Sequence, residues 1–403
     1  MRRKHFATQY KKDKTILNMI SHILIAFFAA LIAVLWIHPR LVKIAIMKNI
    51  VDNPDARKLQ RTPVPVLGGV AVFFGIVIGL ALTSGFTECM SLMPIIAAML
   101  IMLYTGTMDD IMELSPWLRF AVEIGVVGLM IFTCHLSIDN FHGLWGIHQI
   151  ASSVAIPLTI FAAVGIINSM NLIDGVNGLS SGYCIMASGV FFVYFLLVQD
   201  IPMMILATVS VGSLLPFFFH NVFGKTSKMF IGDGGTLVMG VVMSTFVINI
   251  LSTESAPSAN LPQSFGLVPF TLAVMSVPIF DTLRVMLARM LRGTSPFHPD
   301  KTHLHHLFIG LGFSHAGTTV AIITLNVMVI GAQLLTWHLG GSIDLQLYVV
   351  IGCGTLITAG LYLTMQRVKE DSIIKRLARA IGRATHFERK GAFLMLQKIA
   401  DKS

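Results

Sequence analysis

Charged residues are scarce in this chain, and their scarcity excludes most soluble protein classes. Only 12% of the 403 residues are Asp, Glu, Lys or Arg, whereas 55% are hydrophobic and the mean hydropathy is +0.77. A soluble domain carries about 25% charged residues and has no core large enough for so many apolar runs. The composition therefore predicts an all-α polytopic membrane protein.

Cysteine is also rare, and low-complexity linkers are absent. The four cysteines are widely separated and lie mostly in apolar runs, without the spacing of a disulfide framework or a zinc site. No repeat or low-complexity stretch divides the chain. We expect a basic N-terminal segment (1–15), one transmembrane catalytic domain (16–366) and a basic amphipathic cytoplasmic tail (367–403).

Apolar runs of membrane length are abundant. About 20 apolar residues cross a bilayer as a helix, and eleven such segments are predicted, at 16–37, 66–83, 91–108, 119–137, 150–168, 178–198, 201–220, 229–252, 265–288, 316–337 and 345–365. The loops after the even-numbered segments contain no Lys or Arg. Since short basic loops stay in the cytoplasm, the other loops and the C-terminal tail are expected there. The basic N-terminal segment opposes this orientation, and we give the downstream bias more weight.

The basic tail has the pattern of a membrane-surface helix. Ile373, Ile374, Leu377 and Ile381 fall near one helical face, with basic residues largely opposite. This predicts an amphipathic helix on the inner leaflet, with a flexible basic tail as the alternative. The net charge of +9 suits anionic headgroups and does not imply a nucleic acid partner.

Carboxylates beside apolar segments are the first candidates for function, because an ionised group in hydrocarbon costs about 2.5–3.5 kcal/mol. Asp109 and Asp110 end the third segment, and Asp233 begins the eighth within a glycine-rich run. Adjacent carboxylates bind Mg²⁺ or share a proton, and glycines at a helix N-terminus let a phosphate approach backbone N–H groups. Helix capping or a simple turn explains each motif taken alone.

Two further polar loops follow the fifth and ninth segments. Asn168, Asn171 and Asp174 form an oxygen-rich turn, for which capping is the alternative. A loop with three imidazoles in four residues contains His303, His305 and His306. For this loop we favour contact with phosphate or nucleotide over a zinc site or a structural role.

The first long loop adds cations at the membrane edge. Arg57 and Lys58 lie where an anionic lipid head would sit, although positive-inside anchoring explains either charge alone. All of these motifs fall on the predicted cytoplasmic side. That convergence predicts one active site assembled from cytoplasmic loops.

In combination and in order, the motifs from about Val51 to Gly317 resemble the polyprenyl-phosphate N-acetylhexosamine-1-phosphate transferase family (glycosyltransferase family 4), especially its WecA-like branch. The acidic pair, the Asn-rich loop, the Gly-Asp motif and the His-rich loop each match. There are departures: Asn177 stands where the family often has Asp, Gln60 where it is often basic, and Thr236 where Ser is common. Asn177 matters most, since it removes a charge from the site.

The resemblance implies the activity and its location. N-acetylglucosamine-1-phosphate would pass from UDP-N-acetylglucosamine to undecaprenyl phosphate, giving UMP and undecaprenyl-diphosphate-N-acetylglucosamine. This is the first membrane step of a bacterial cell-surface polysaccharide. The implied cofactor is Mg²⁺, with Mn²⁺ as a substitute. The implied location is the bacterial inner membrane, with a cytoplasmic active site.

The resemblance also implies residue roles. Asp233 would be the main metal ligand, assisted by Asp110. The catalytic carboxylates would be Asp109, Asp110 and Asp174. The substrate-binding residues would be Asn168, Asn171, His303, His305, His306, Arg57 and Lys58.

Other functions are left open by the residues. A different UDP-N-acetylhexosamine is the nearest alternative. A metal-dependent lipid-phosphate hydrolase would use the His cluster, and a silent lipid-binding homologue would tolerate Asn177. A proton-coupled transporter predicts inverted repeats, which we do not detect in the sequence. A homodimer is also left open.

Overall fold

The computed structural model describes residues 2–52, 63–83, 87–253, 261–296, 300–386 and 391–402, with side chains from residue 19 onward except at 87–89. Most of the described residues are helical. The first eight helices are α1 (Arg2–Met47), α2 (Gly68–Thr83), α3 (Met93–Met112), α4 (Pro116–Cys134), α5 (Ser152–Leu172), α6 (Leu179–Val198), α7 (Ile201–Phe223) and α8 (Gly232–Ile250). The others are α9 (Leu267–Val274), α10 (Ser276–Leu291), α11 (Leu304–Gly310), α12 (His315–His338), α13 (Ile343–Thr355), α14 (Leu361–Arg367), α15 (Ile373–Ala384) and α16 (Gly391–Ala400).

The predicted fold class is confirmed, whereas the count of eleven spans stays a prediction. Within the described residues, nine helical stretches are long and apolar enough to cross a membrane. The pair α9–α10, bent by 74°, makes a tenth when counted as one span. Helix α2 is apolar but has only 16 residues, fewer than the 17 or so that a bilayer usually requires.

Helix α8 forms the centre of the bundle. In its apolar window 94% of the residues are buried, compared with 22% for α1 and for the stretch from α13 to α14. Helices α2, α3 and α5 pack around α8. On the outer helices, large apolar side chains such as Phe132, Phe161 and Val320 point away from the protein. Such surfaces are stable when they face lipid.

The break between α9 and α10 is stabilised by buried polar side chains. Asn326 donates its amide to the Val274 carbonyl at 3.0 Å and accepts from Ser276 Oγ at 2.8 Å. Tyr183 donates its hydroxyl to the same carbonyl at 2.5 Å. In a bilayer each backbone group freed at a break needs such a partner, because no water is available.

A short ladder joins the first long loop to the glycine-rich loop before α8. Strands β1 (Val51–Asp52) and β2 (Val64–Pro65) pair antiparallel. The Phe230 amide donates to the Pro65 carbonyl at 2.7 Å, and the Gly68 amide donates to the Phe230 carbonyl at 3.0 Å. These bonds fix the start of α2 beside the start of α8.

The C-terminal tail contains two helices that contact the body of the protein. Helix α15 exposes the apolar face predicted from the sequence, while its membrane placement stays a prediction. Thr385 accepts from the Ser314 amide through its Oγ1 at 3.0 Å. After α16, Asp401 Oδ1 accepts from the amides of Lys225, Thr226 and Ser227 at 2.9, 2.9 and 3.1 Å. The tail is therefore docked rather than free.

Candidate active site

A cavity of about 1140 Å³ opens where α3 ends and α8 begins. Seven of the residues predicted for the site line it: Asp110, Asn171, Asp174, Asp233, His303, His305 and His306. They come from four motifs that are far apart in the sequence. Asp109 and Asn168 are not in the lining, and Arg57, Lys58 and Gln60 lie outside the described residues.

The acidic pair is divided between two environments. Asp110 faces the cavity, and its Oδ2 accepts from the Asp233 amide at 2.9 Å. Asp109 is not in the cavity lining; its Oδ1 accepts from the Leu114 amide at 2.8 Å, and its Oδ2 pairs with Arg119 at 3.0 Å. Both Asp109 oxygens are therefore already bonded to the protein. Asp110 is the better placed of the two to contact a ligand.

Arg119 lies at the centre of the acidic cluster. Its guanidinium pairs with Asp109, with Asp233 Oδ2 at 3.3 Å and with Glu123 Oε1 at 3.6 Å. Sequence reasoning missed Arg119 and Glu123. A signal was present, because two ionisable residues one helical turn apart inside an apolar segment are rarely accidental.

Asn168 belongs to the group of residues around Arg119 and not to the cavity wall. Its amide donates to Glu123 Oε2 and to the Val164 carbonyl, and its Oδ1 accepts from Arg119 at 3.4 Å. Glu123 is fully buried. Asn168 therefore contacts the Arg119–Glu123 pair and not the cavity.

Replacing Arg119 with Gln is expected to disturb both activity and stability. The change leaves Asp109, Asp233 and Glu123 without their shared cation, so their mutual repulsion moves Asp233. Turnover should fall by about 10–100-fold, the usual cost of losing an outer partner of a functional ligand. Turnover and the thermal unfolding midpoint of purified protein would be measured. The exposed Arg292→Gln in the loop after α10 is the matched control, and equal behaviour of the two variants would contradict the assignment.

Glycines let α3 and α8 approach closely enough to bring the acids together. A Cβ on Gly106 would lie 2.4 Å from the Gly234 amide nitrogen, and one on Gly69 would lie 2.2 Å from the Gly235 nitrogen. Gly232 has a φ of +68°, which turns the chain so that the Asp233 amide faces Asp110. The glycine-rich motif therefore serves helix packing as well as approach by a ligand.

The Asn-rich loop meets the His loop across Gly175. A Cβ on Gly175 would lie 2.0 Å from His305 Nε2, so only glycine allows this contact. The neighbouring Asp174 faces the cavity space. Surrounding protein and then the Asp233 charge raise the pKa of Asp174 to about 7. Because the carboxyl faces open space, we expect water in the cavity to reduce this shift.

Two of the imidazoles are neutral at physiological pH. Burial, followed by the neighbouring His306 and His303, lowers the pKa of His305 to about 3. Burial, followed by His303, also lowers the pKa of His306. The rings of His303 and His305 are parallel, with centroids 5.8 Å apart. The cluster thus offers hydrogen bonds rather than two extra cations before an anion binds.

The start of the His loop is held by an ion pair, which gives a pH-dependent prediction. Arg289 donates to both carboxylate oxygens of Asp300, at 2.9 and 3.2 Å, and Thr302 donates to Oδ1. Partial burial raises the pKa of Asp300, but the bonds from Arg289 and Thr302 outweigh it, and the net pKa lies below the ordinary value.

A depressed pKa means that Asp300 stabilises the fold above its unfolded pKa of about 3.9 and loses this contribution as pH falls further. Asp300→Asn should therefore lower the thermal midpoint at pH 7, and the difference from the unmodified protein should shrink below about pH 4. Midpoints of both proteins in detergent would be measured from pH 3 to 8. A difference that is constant across this range would contradict the prediction.

The residues present fit a hard cation such as Mg²⁺. Among the described side chains, no three His, Cys, Asp or Glu groups converge as a complete metal site. Mg²⁺ does not need one, since it usually takes one or two carboxylates and completes its shell with water and substrate phosphate. Asp110 and Asp233 both face the cavity. Arg119 offers one positive charge to three carboxylates, so the cluster favours a further cation.

Comparison with known proteins agrees with this arrangement. The profile of "Glycosyl transferase family 4" matches residues 92–251, which contain the acidic pair, the Asn-rich loop and the Gly-Asp motif. A Bacillus subtilis (strain 168) protein named "Probable undecaprenyl-phosphate N-acetylglucosaminyl 1-phosphate transferase" is 32% identical over 301 residues, which are 74% of this chain and 81% of that protein.

Two further relatives carry the name "Undecaprenyl-phosphate alpha-N-acetylglucosaminyl 1-phosphate transferase". The Salmonella typhi protein is 29% identical over 286 residues, 70% of this chain and 74% of its own length. The Escherichia coli (strain K12) protein is 26% identical over 286 residues, with the same shares of 70% and 74%. The family resemblance of the motifs is thereby confirmed, and the chain belongs to glycosyl transferase family 4.

Proposed function

We propose that this membrane enzyme transfers N-acetylglucosamine-1-phosphate from UDP-N-acetylglucosamine to undecaprenyl phosphate. The observation that carries the proposal is the single cavity in which Asp110, Asp174, Asp233 and the His loop meet. Its volume of about 1140 Å³ exceeds the 1,000 Å³ or so of a large small-molecule site, leaving room for a nucleotide sugar and a lipid phosphate. The names of the relatives support this pair of substrates.

The reaction exchanges one phosphate linkage for another. A phosphate oxygen of the lipid attacks the sugar-bearing β-phosphorus of the donor, and the bond from that phosphorus to the oxygen bridging the α-phosphate breaks. The products are undecaprenyl-diphosphate-N-acetylglucosamine and UMP. Because phosphoryl transfer depends mainly on positioning and charge stabilisation, the protein needs fixed carboxylates and cations more than a nucleophile of its own.

Asp233 and Asp110 are the residues that would hold Mg²⁺, with Mn²⁺ as a substitute. A bound Mg²⁺ supplies charge neutralisation on the diphosphate. The Asp233 amide, bonded to Asp110, keeps the two carboxylates in a fixed relation before substrate arrives. Arg119 restrains Asp233 from the opposite side, so the carboxylate does not turn toward solvent.

Substrate contacts fall to the remaining walls of the cavity. Asn171 donates to Thr236 Oγ1 at 2.9 Å, which fixes its amide beside the metal-binding carboxylates. Lys225 and Lys228 line the same cavity and suit the phosphates of a nucleotide or a lipid. His306 adds a hydrogen-bonding ring. Asp174 faces the same cavity and is placed to accept a proton from the lipid phosphate.

The cellular setting follows from the loop charges. The described loops with Lys or Arg lie at the cavity end of the helices, and the positive-inside tendency assigns that end to the cytoplasm. We propose a multi-pass protein of the bacterial inner membrane whose site opens to the cytoplasm, where UDP-sugars are available. A homodimer is retained as a separate prediction, to be tested by native mass spectrometry.

The test is a transfer assay on purified protein. Radiolabelled UDP-N-acetylglucosamine and undecaprenyl phosphate are incubated with and without Mg²⁺, and UMP and labelled lipid are followed together. Mg²⁺-dependent formation of both in equal amounts is expected. A product formed only from another UDP-N-acetylhexosamine would change the donor. Release of inorganic phosphate without any nucleotide donor would overturn the transferase in favour of a hydrolase.

A further inference from the structure

A buried carboxylate on α10, which the motif pattern did not single out, is aimed at the His loop. Asp281 is 3% exposed, and its Oδ2 is 2.9 Å from His303 Nδ1 and 3.1 Å from the Leu304 amide. Its Oδ1 accepts from Arg284 Nε at 3.2 Å and Nη2 at 2.6 Å. An arginine and a backbone amide can only donate, so Asp281 acts as an acceptor on both oxygens.

This pattern fixes which nitrogen of His303 carries the hydrogen. With the carboxylate as acceptor, Nδ1 carries the hydrogen of the shared bond. The ring is 4% exposed and lines the cavity, and its Nε2 is buried without a hydrogen-bond partner among the described residues. A buried polar atom without a partner is costly. Because the ring lines the cavity, we expect the missing partner of Nε2 to arrive with the substrate.

The support behind Asp281 is rigid. Arg284 follows on the next turn of α10 and also donates to the Thr302 carbonyl at 2.6 Å. The Tyr362 ring covers the Arg284 guanidinium at 4.1 Å. Arg284 thus fixes the backbone of the His loop, while Asp281 fixes the orientation of the His303 imidazole.

We propose that Asp281 is a positioning residue for the transfer reaction, acting through His303, whose unprotonated Nε2 it presents as an acceptor to an O–H or N–H group of the nucleotide sugar. The inference rests on the proposed function and adds to it. Asp281 itself touches no substrate. It acts on His303 as an outer carboxylate acts on a ligand histidine, by fixing the ring orientation and the tautomer.

The test is a double-mutant cycle on the full-length protein in detergent or lipid. Asp281→Asn keeps the shape but loses the charge, and we expect kcat to fall about 10–100-fold with a smaller change in KM for the donor. His303→Gln removes the ring. If Asp281 acts through His303, the double variant should be within about twofold of His303→Gln alone, because only coupled residues depart from additivity. A double variant whose loss equals the product of the single losses would overturn the proposal.

Asp281→Glu keeps the charge but changes the size of the side chain. It is expected to recover part of the lost kcat, whereas a defect caused by side-chain size alone would not be relieved by glutamate. Asp200→Asn is the control for general destabilisation. Asp200 is a half-buried carboxylate that caps α7 by accepting from the Met203 amide at 3.2 Å, and it is not in the cavity lining. Its effect should multiply with that of His303→Gln.

A second readout does not depend on turnover. In ¹⁵N-histidine-labelled protein, the signals that disappear in His303→Gln identify the ring of His303. In the unmodified protein these signals should show a protonated Nδ1. In Asp281→Asn the ¹⁵N signal of Nδ1 should change. A ring protonated only at Nε2 in the unmodified protein would overturn the inference. Inactivity of the unmodified protein with every UDP-sugar would overturn the proposed function and with it the role in transfer, whereas the ¹⁵N signals would still decide whether Asp281 sets the tautomer of His303.

Discussion

Asp233→Asn is expected to reduce turnover about 100–1000-fold while leaving the protein folded, the range seen when one preorganised group that stabilises a transition state is removed. The reason is the place of this carboxylate. It faces the cavity, its amide bonds Asp110, and its side chain pairs with Arg119. The amide-for-carboxylate change keeps the size but removes the charge that would hold Mg²⁺, so the Mg²⁺ concentration for half-maximal activity should rise as well.

The measurement is initial-rate kinetics across a Mg²⁺ series, with thermal unfolding as the check on folding. Asp344→Asn is the matched control. The Asp344 carboxylate likewise has a partner within the protein, the Trp145 amide at 2.8 Å, but it lies outside the cavity lining. Near-normal turnover and Mg²⁺ dependence in well-folded Asp233→Asn protein would remove Asp233 from the proposed metal site.

Gly106→Ala is expected to have the second-largest effect, even though it changes no functional group. The added Cβ would lie 2.4 Å from Gly234 N and 2.5 Å from the Asp233 carbonyl carbon, where backbone atoms do not give way as a side chain does. Helices α3 and α8 must separate, at a cost of about 1–3 kcal/mol for overpacking. Separation moves Asp110 away from the Asp233 amide, so turnover should fall by about 100-fold, the cost of a misplacement of about 1 Å.

Gly128→Ala supplies the matched control for this substitution. Gly128 lies in α4, and a Cβ there meets no heavy atom within 4 Å. Since alanine is favoured over glycine in a helix by up to about 1 kcal/mol, this variant should be as stable as the unmodified protein or more so. Thermal midpoints and kcat of the two variants would be compared. Similar behaviour of both glycine sites would show that the close approach of α3 and α8 does not determine the site geometry.

The sequence by itself determined the fold class and the identities of most cavity residues. Membrane-length apolar runs predict helices without any tertiary information, because hydrocarbon leaves the backbone few other choices. Carboxylates and imidazoles next to such runs are conspicuous because an ionisable side chain is costly in hydrocarbon. Asp110, Asp174, Asp233 and the His loop were therefore recognisable, and they lie around one cavity.

Only the tertiary structure decided how these residues divide their work. Two adjacent carboxylates look equivalent in the sequence, yet Asp109 is bound by Arg119 and Asp110 faces the cavity. Asn168 and Asn171 look alike too, although Asn168 bonds Glu123 and only Asn171 reaches the cavity wall. Helical spacing places both on one helix but does not reveal which neighbouring helix each side chain meets.

The supporting residues were hidden for the same physical reason. Arg119, Glu123 and Asp281 acquire their roles from partners on other helices or loops, and such partners follow from packing rather than from local pattern. The bend between α9 and α10 likewise depends on Asn326 from a distant helix. Local sequence specifies helices through short-range bonding and apolar length, whereas the ion pairs of the site depend on distances that only the assembled bundle fixes.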